Sequence, residues 1–501
     1  MRVRWGVAVL AIAMIVLSVW RLEGEARGVQ VQDTAFGSVP GRVYRPEAGP
    51  EVRAEFGPVL VISHGFAGSQ QIMQSFALSA ARAGYVVVSY DSAGHGRNPT
   101  PLTGSVVDVA GATATLVREL TAVAEAARGL GDGRVAVLGH SMATDIVVRF
   151  AKATPWVDAV VAVSMFSPEV TVEAPRNLLV ITGAWEGMLS AEALRVVRMV
   201  APDGVAGVTY GAAGNQRRAA VAPHVEHASV LFSTAAMAET VGWLNLVFGV
   251  ERAVPPVADR GGWIMLLLAG SVALGWPLAA LLPRLAGQQA GAGLGWRRLW
   301  IVALVPMVAV PLVLRVVPTK FLPVLVADYL AVHFLAYGVA TGLCLWALGA
   351  RLPQITLRGM LVGLLAAGYV ALALFWPVDR YFTNFWPGTG RGVIIAAIAV
   401  GTLPFFVLQD WAGRGPGAGR FAHTALSLCF LMSLAFAVVL DFERLFFLLI
   451  ILPIVLIFFT IFGLMGVWVE ARTRQCLPGS VMAGLAFAWA LGVTFPMLSA
   501  G

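Results

Sequence analysis

Two kinds of apolar pattern divide the chain. Between residues 22 and about 258 the apolar runs are short and β-branched, and segments with helical spacing separate them. PVLVISHGF (58–66), YVVVSYD (85–91), RVAVLGHS (134–141), DAVVAVS (158–164) and NLLVITG (177–183) read as buried strands. The segments 70–83, 105–128 and 142–153 read as amphipathic helices between them. Near-continuous apolar strands joined by helical crossovers predict a parallel sheet covered on both faces, with functional groups gathered at the carboxyl ends of the strands.

From about residue 262 the pattern changes to long apolar runs broken by short Arg-containing loops. Eight spans are expected, near 262–282, 299–317, 321–349, 358–376, 392–411, 421–440, 445–468 and 479–499. Each is about long enough to cross a hydrocarbon core of ~30 Å at ~1.5 Å per residue. A further run, WGVAVLAIAMIVLSVW (5–20), follows Arg2 and Arg4. With no small-x-small site before Arg21, it reads as an uncleaved signal anchor rather than a cleaved signal peptide. The expected organisation is an anchor over 1–21, an α/β domain over 22–250, a Pro-containing linker over 251–261 and an all-α transmembrane domain over 262–501.

Composition sharpens this division. The chain of 501 residues is 58% hydrophobic and 13% charged, where a soluble domain carries about a quarter charged residues. Its net charge of +7 comes almost wholly from arginine, since the only lysines are Lys152 and Lys320. The arginines are dispersed among loops rather than clustered with aromatics, so nucleic acid is not an expected partner. They do orient the spans. With the α/β domain outside, Arg284, Arg297, Arg298, Arg351, Arg358, Arg414, Arg420, Arg472 and Arg474 fall inside. Arg315, Lys320, Arg380, Arg391 and Arg444 then fall outside, a bias of the sign expected for cytoplasmic loops. The expected location is a bacterial inner membrane, with the α/β domain on its non-cytoplasmic side. Cys344, Cys429 and Cys476 lie in the membrane half and suggest neither a disulfide framework nor a metal site.

Two strand ends carry candidate chemistry. After the first apolar strand, His64-Gly65-Phe66 offers backbone N–H groups for a developing oxyanion. At Gly139-His140-Ser141-Met142-Ala143, small residues flank a serine between a strand and a helix. A strained strand-to-helix turn that presents a nucleophile needs that spacing, whereas an ordinary helix N-cap needs only the serine. In the membrane half, Asp328 and His333 lie within an apolar run, where ionisable groups are expensive and become site candidates by default. The aromatic loop WPVDRYFTNFWPGTGR (376–391) reads either as an interfacial belt or as a lipid-recognising rim.

These features together resemble the α/β-hydrolases over residues 30–248. HGF occupies the oxyanion-loop position, YDSAGHGRN (90–98) matches a segment after the next strand, and the elbow differs from G-x-S-x-G only by Ala143. The family order of serine, acid, histidine implies Ser141 as nucleophile, Glu186 after the NLLVITG strand as the acid, and His227 as the base. Asp203 and His224 are the alternative acid and base. The histidine should follow a last strand near VTYGAAGN (208–215). Backbone N–H groups of Phe66 and Met142 would form the oxyanion hole, and His95 and His140 would be structural. No metal or organic cofactor is implied.

The short MFSPEVTVEAPR (165–176) connection leaves no room for a helical lid. The membrane domain then becomes the candidate cover, with the site drawing an acyl ester or lipid substrate from surrounding membrane lipids. The expected activity is that of a membrane-bound serine hydrolase acting on an ester or thioester. An acyltransferase or a peptidase would use the same triad. The reading from another class is a transporter or lipid-handling protein with a regulatory hydrolase-like domain, which the lack of an internal repeat among the spans disfavours.

Overall fold

A computed structural model describes residues 2–47, 57–104, 109–250 and 257–499. Most of the linker expected at 251–261 lies outside the described residues. The chain forms two compact units. One comprises Val16–Leu267, Val378–Asn384 and Pro496–Gly501; the other comprises Met1–Ile15, Leu268–Pro377 and Phe385–Phe495. Both boundaries near the start fall inside helices, α1 (Arg2–Gly24) and α7 (Gly261–Ala279).

The first unit is built on a nine-stranded sheet in the order β1-β2-β4-β3-β5-β6-β7-β9-β8. The strands are β1 (Val29–Phe36), β2 (Val39–Pro46), β3 (Val59–Ser63), β4 (Val86–Tyr90), β5 (Val135–His140), β6 (Val157–Val163), β7 (Leu178–Gly183), β8 (Thr209–Tyr210) and β9 (Arg217–Ala222). From β4 through β3, β5, β6 and β7 to β9 every pairing is parallel; β1, β2 and β8 pair antiparallel at the two edges.

Alternation along the central strands assigns their side chains to two cores. Val59, Val61, Val135 and Val137 face helices α3 (Ala114–Arg128), α4 (Met142–Ala153) and α5 (Gly187–Arg198). Leu60, Ile62, Ala136 and Leu138 face α2 (Gln74–Arg82) and α6 (Thr234–Phe248). With apolar groups needed on both faces, these strands show no polar alternation.

The last long strand differs from the sequence expectation. VTYGAAGN holds only the two-residue edge strand β8, and the strand that precedes the histidine is β9. Its sequence, RRAAVA, has only alanine and valine to signal burial, and Arg217 is itself fully buried. The Arg217 guanidinium is tolerated there because it donates to the carbonyls of Thr171, Val172 and Gln216 and to Asn215 Oδ1.

Two pieces of chain beyond residue 267 complete this unit. Met497 donates from its N–H to Gly94 O (2.8 Å) and accepts from the Leu102 N–H (2.8 Å), while the Ser499 N–H donates to Leu102 O (3.0 Å). Leu102 and Leu498 thus form a parallel bridge. The second piece, Val378–Asn384, packs beside the loop after β3. Both pieces come from the stretch expected to be an all-α transmembrane domain over 262–501, yet they group with the sheet-containing unit. Hydropathy sorts residues by solvent class and carries no information on which partner a short polar segment finds.

The second unit is helical. Among the described residues nine helices are long and apolar enough to cross a membrane. They are α1, α7, α8 (Trp296–Leu314), α9 (Ala327–Ala347), α10 (Leu357–Tyr381), α11 (Arg391–Ala412), α12 (Ala422–Leu440), α13 (Phe447–Thr473) and α14 (Leu477–Thr494). Close approaches at small residues hold the bundle together. A Cβ at Gly401 would lie 2.2 Å from Ala331 O, and one at Gly338 would lie 2.9 Å from the Phe405 backbone. Phe334, Phe405, Phe430 and Phe459 pack around this crossing with neighbouring ring centroids 4.5–6.1 Å apart.

Gly94 combines a φ of +77° with a Cβ position 2.6 Å from Met497 O, whereas Gly37 has φ +63° and open space around it. Gly94→Ala should therefore destabilise the first unit by more than the ~1–2 kcal/mol of backbone strain expected at Gly37→Ala. Thermal melts of the two variants in detergent check this; equal shifts would mean that the Met497 contact contributes nothing.

Candidate active site

Ser141 occupies the turn between β5 and α4 with φ +54° and ψ −119°, a conformation costly for a residue with a Cβ. Neighbours that leave no alternative hold it there. A Cβ at Gly139 would sit 2.5 Å from Ala143 O, so no side chain fits at 139. The obstructing atom is a carbonyl oxygen that any residue at 143 would carry. The methyl of Ala143 itself is accommodated, buried to 2% exposure. The Ser141 N–H donates to Val163 O (2.9 Å), which ties the turn to the neighbouring strand.

The sheet brings three of the expected residues into one hydrogen-bonded chain. His227, in the turn after β9, places Nε2 2.8 Å from Ser141 Oγ and Nδ1 2.6 Å from Glu186 Oε1. A carboxylate only accepts, so Nδ1 carries the proton, Nε2 accepts, and the Ser141 hydroxyl donates. Glu186 directly follows the β7 strand end, and its second oxygen accepts from the Gly183 N–H (2.6 Å) and from Ser164 Oγ (2.8 Å). Burial by itself raises the Glu186 pKa. The donors His227, Gly183 and Ser164 together outweigh it and hold the group below the ordinary carboxylate range.

The turn carrying His227 is built by its predecessor. Glu226 accepts from the N–H groups of Ala228 and Ser229 (2.9 Å each), and its own N–H donates to Ser229 Oγ. His224 stands exposed on the same connection at φ +58°, and Asp203 is exposed in the loop between α5 and β8. The contact to Ser141 is made by His227, and the contact to His227 by Glu186.

The oxyanion-loop segment lies against the serine turn. A Cβ at Gly65 would be 3.1 Å from Ser141 Cβ and 3.0 Å from His140 Nδ1. Phe66 follows in a tight turn closed by the Gly68 N–H to Gly65 O (3.1 Å), and Met142 is the first residue of α4. His64 is buried, and its Nε2 accepts from the Ser92 N–H (3.1 Å). That bond assigns the proton to Nδ1, which donates to Gly65 O (2.8 Å). Desolvation lowers the His64 pKa, in keeping with a neutral ring.

His140 donates from Nε2 to His227 O (3.0 Å), and its ring lies 5.0 Å from that of His227. Burial, then the neighbouring His227, push its pKa down to about 4. His95 is buried 5.2 Å from His64 in an edge contact.

The helical unit does not pair the two membrane candidates with each other. His333 is buried and bonded to Tyr329 Oη (3.3 Å) and Ser433 Oγ (3.1 Å), while Asp328 Oδ1 accepts from the Tyr329 N–H (2.6 Å) at the start of α9. Instead, that unit holds a buried polar cluster that the sequence reading passed over. Asp410 Oδ1 meets His423 Nε2 (2.7 Å), Asp410 Oδ2 accepts from Ser480 Oγ (2.7 Å), and Arg414 pairs with Glu470, which also accepts from Gln289 Nε2 (2.6 Å). The signal was the i, i+4 pair Asp410/Arg414 running off a span, with Glu470 near the end of another.

The mostly parallel sheet, the crossover helices and the serine turn at the end of β5 define an α/β-hydrolase fold. In agreement, the family model described as serine aminopeptidase, S33 matches residues 55–204. Solved structures with similar chains include one from Thermus thermophilus, with 16% identity over 44% of this chain and 97% of that chain and a TM-score of 0.31. A putative dienelactone hydrolase from Klebsiella pneumoniae is 17% identical over 44% of this chain and 98% of its own, with a TM-score of 0.30. The epoxide hydrolase VrEH1 from Vigna radiata is 21% identical over 28% and 42%, with a TM-score of 0.22. No curated protein matches the sequence. The family match supports hydrolase activity.

Because the folded-state pKa of His140 is depressed, the unfolded chain binds more protons between about pH 6.5 and about pH 4. The stability associated with keeping His140 neutral is present above pH 6.5 and is lost as pH falls through that window. His140→Gln should flatten this slope, as read from melting temperatures at pH 5 and pH 7. An unchanged slope would assign it to other groups, His64 first.

Proposed function

We propose that this chain is a membrane-anchored serine hydrolase that cleaves an ester or thioester with an apolar acyl group, such as that of a lipid. The observation that carries the reading is the hydrogen-bonded line from Ser141 Oγ through His227 to Glu186 at the carboxyl ends of the strands. His227 Nε2 takes the Ser141 proton as Oγ attacks the acyl carbonyl carbon. Glu186, held ionised by its three donors, keeps the proton of His227 on Nδ1 and stabilises the imidazolium. Backbone N–H groups of Phe66 and Met142 would receive the oxyanion. His227 then passes its proton to the leaving alkoxide or thiolate. Water, deprotonated by His227, attacks the acyl-enzyme and releases the acid and free Ser141. Every step uses groups of the chain and water.

Exposed apolar side chains beside the triad support an apolar acyl group. Phe166 is 71% exposed two residues beyond Ser164, Trp185 is 68% exposed next to Glu186, and Met188 is 87% exposed at the start of α5. Large exposed apolar groups close together mark interaction surfaces. A peptidase would use the same triad. An aminopeptidase also needs an anion for the substrate ammonium group, and the carboxylate adjoining His227 in sequence, Glu226, is already committed to Ala228 and Ser229. The nine candidate spans among the described residues and the arginine bias support, in this proposal, a hydrolase on the non-cytoplasmic side of a bacterial inner membrane.

Fluorophosphonate labelling of the detergent-solubilised full chain tests the nucleophile. Label should appear on the wild type and vanish in Ser141→Ala and His227→Ala. Glu186→Gln should lower kcat by roughly 10²–10⁴-fold, and turnover of acyl thioesters should rise from acetyl to longer chains. Failure of the folded wild type to take label would defeat the reading. A preference for acetyl over octanoyl would defeat its acyl component.

A further inference from the structure

The segment Val378–Asn384 belongs to the hydrolase unit although it begins in the last turn of one transmembrane candidate helix, Leu357–Tyr381, and another follows it. Its polar contacts converge on the connection that leaves β3. Ser69, fully buried, ends the His64–Ser69 loop and stands at the N-cap position of the turn Gln70–Met73, yet its hydroxyl makes no capping bond there. That hydroxyl instead lies 2.9 Å from Thr383 Oγ1 and accepts from the Asn384 N–H (2.8 Å). Asn384 Oδ1 in turn accepts from Arg97 Nε (3.2 Å), and Arg97 also donates to Asp379 Oδ2 (2.7 Å).

Arg97 returns the network to the same loop. Its N–H donates to Asp91 Oδ2 (3.0 Å), and Asp91 Oδ1 accepts from the N–H of Gln70, the residue after Ser69 (2.8 Å). A Cβ at Gly96 would lie 2.4 Å from the Asp91 carboxylate, so the chain closes tightly around that group. The YDSAGHGRN segment therefore links the 378–384 segment to the far side of Ser69. A second brace reaches the histidine. Phe382 stacks on Phe232 with centroids 5.7 Å apart and planes 13° apart, and Phe232 ends the turn that begins just after His227.

We propose that Val378–Asn384 is a positioning clamp for the oxyanion loop, acting chiefly through Thr383 and Asn384 on Ser69. The inference rests on the serine-hydrolase reading for its catalytic consequence. The clamp touches no reacting atom. It fixes where the Gly65–Phe66 backbone stands against Ser141, so its loss should affect transition-state stabilisation rather than substrate capture. It also makes the reaction rate sensitive to the helix Leu357–Tyr381, because the segment includes the last turn of that helix.

The test compares Thr383→Val with Thr383→Ser in the full-length protein. Two readouts are used: amide hydrogen exchange over residues 64–73, and steady-state hydrolysis of a medium-chain thioester. Thr383→Val should speed exchange at 64–73. It should also lower kcat by ~10-fold or more with little change in KM, as a misplacement of about 1 Å can cost ~10²-fold. Thr383→Ser keeps the hydroxyl and should restore both. Melting temperature separates this from a general loss of fold, and Ser69→Ala should reproduce Thr383→Val. Unchanged exchange in Thr383→Val overturns the clamp. Faster exchange with unchanged kcat also overturns it, because the loop would then move without consequence. Absence of turnover in the wild type and in Ser141→Ala alike, with Thr383→Val still loosening 64–73, would instead sink the hydrolase reading and leave the positioning of the loop standing.

Discussion

The site depends on the backbone at Ser141. A residue with a side chain is held at positive φ, where the chain would not rest by itself, and packing on three sides makes the alternatives worse. Gly139 must lack a Cβ because the Ala143 carbonyl occupies its space, Gly65 must approach the turn from the next strand, and the Ser141 amide is anchored to Val163. The local strain is offset by the buried sheet around it, in which both faces of β3, β5 and β6 are filled. Once the turn is fixed, the connections after β7 and β9 bring Glu186 and His227 into line with Oγ.

Electrostatics then refine what the backbone has placed. Glu186 is almost enclosed, and an enclosed carboxylate without donors would sooner be neutral than charged. The Gly183 amide and the Ser164 hydroxyl bind the oxygen that His227 does not use, so the charge is held ready and pointed at one ring nitrogen. Ser164 itself sits at φ +54°, a second strained residue supporting the same group. His140 and His64 act in the opposite sense: kept neutral by burial, each donates one N–H to a nearby carbonyl and adds no charge to compete with His227.

Much of this was legible in the sequence, for identifiable reasons. The five central strands announced themselves because burial on both faces leaves an unbroken apolar run, and the observed ends lie within three residues of the expected ones. Ser141, Glu186 and His227 were named from chain order and do meet within hydrogen-bonding distance. The strand before the histidine was misplaced because an alanine-rich edge region with a buried arginine reads as a loop. Contacts of 378–384 and 496–499 were invisible, since polar and aromatic residues between spans look alike whether they meet lipid, water or a distant loop. Aromatic content suggested an interfacial belt at 376–391; within it Tyr381 and Phe385 are buried, while Trp376 and Trp386 are exposed. The Asp410–Arg414–Glu470 cluster was passed over because charges were sought in the middle of spans, and these sit towards the ends.

Completion of the hydrolase unit by Met497 and Leu498 has a consequence for how the protein is made. Ribosomes release a chain in order, so the sheet and its strained serine turn are synthesised long before the residues that pair with Gly94 and Leu102. During the interval in which the later helices are being inserted, the loop that holds Arg97 and Asp91 has one of its hydrogen-bonded partners still inside the ribosome. Assembly of the sheet-containing unit is therefore not finished when residue 267 has emerged. It waits until Met497 and Leu498 have been made, after the helices that precede them in the chain.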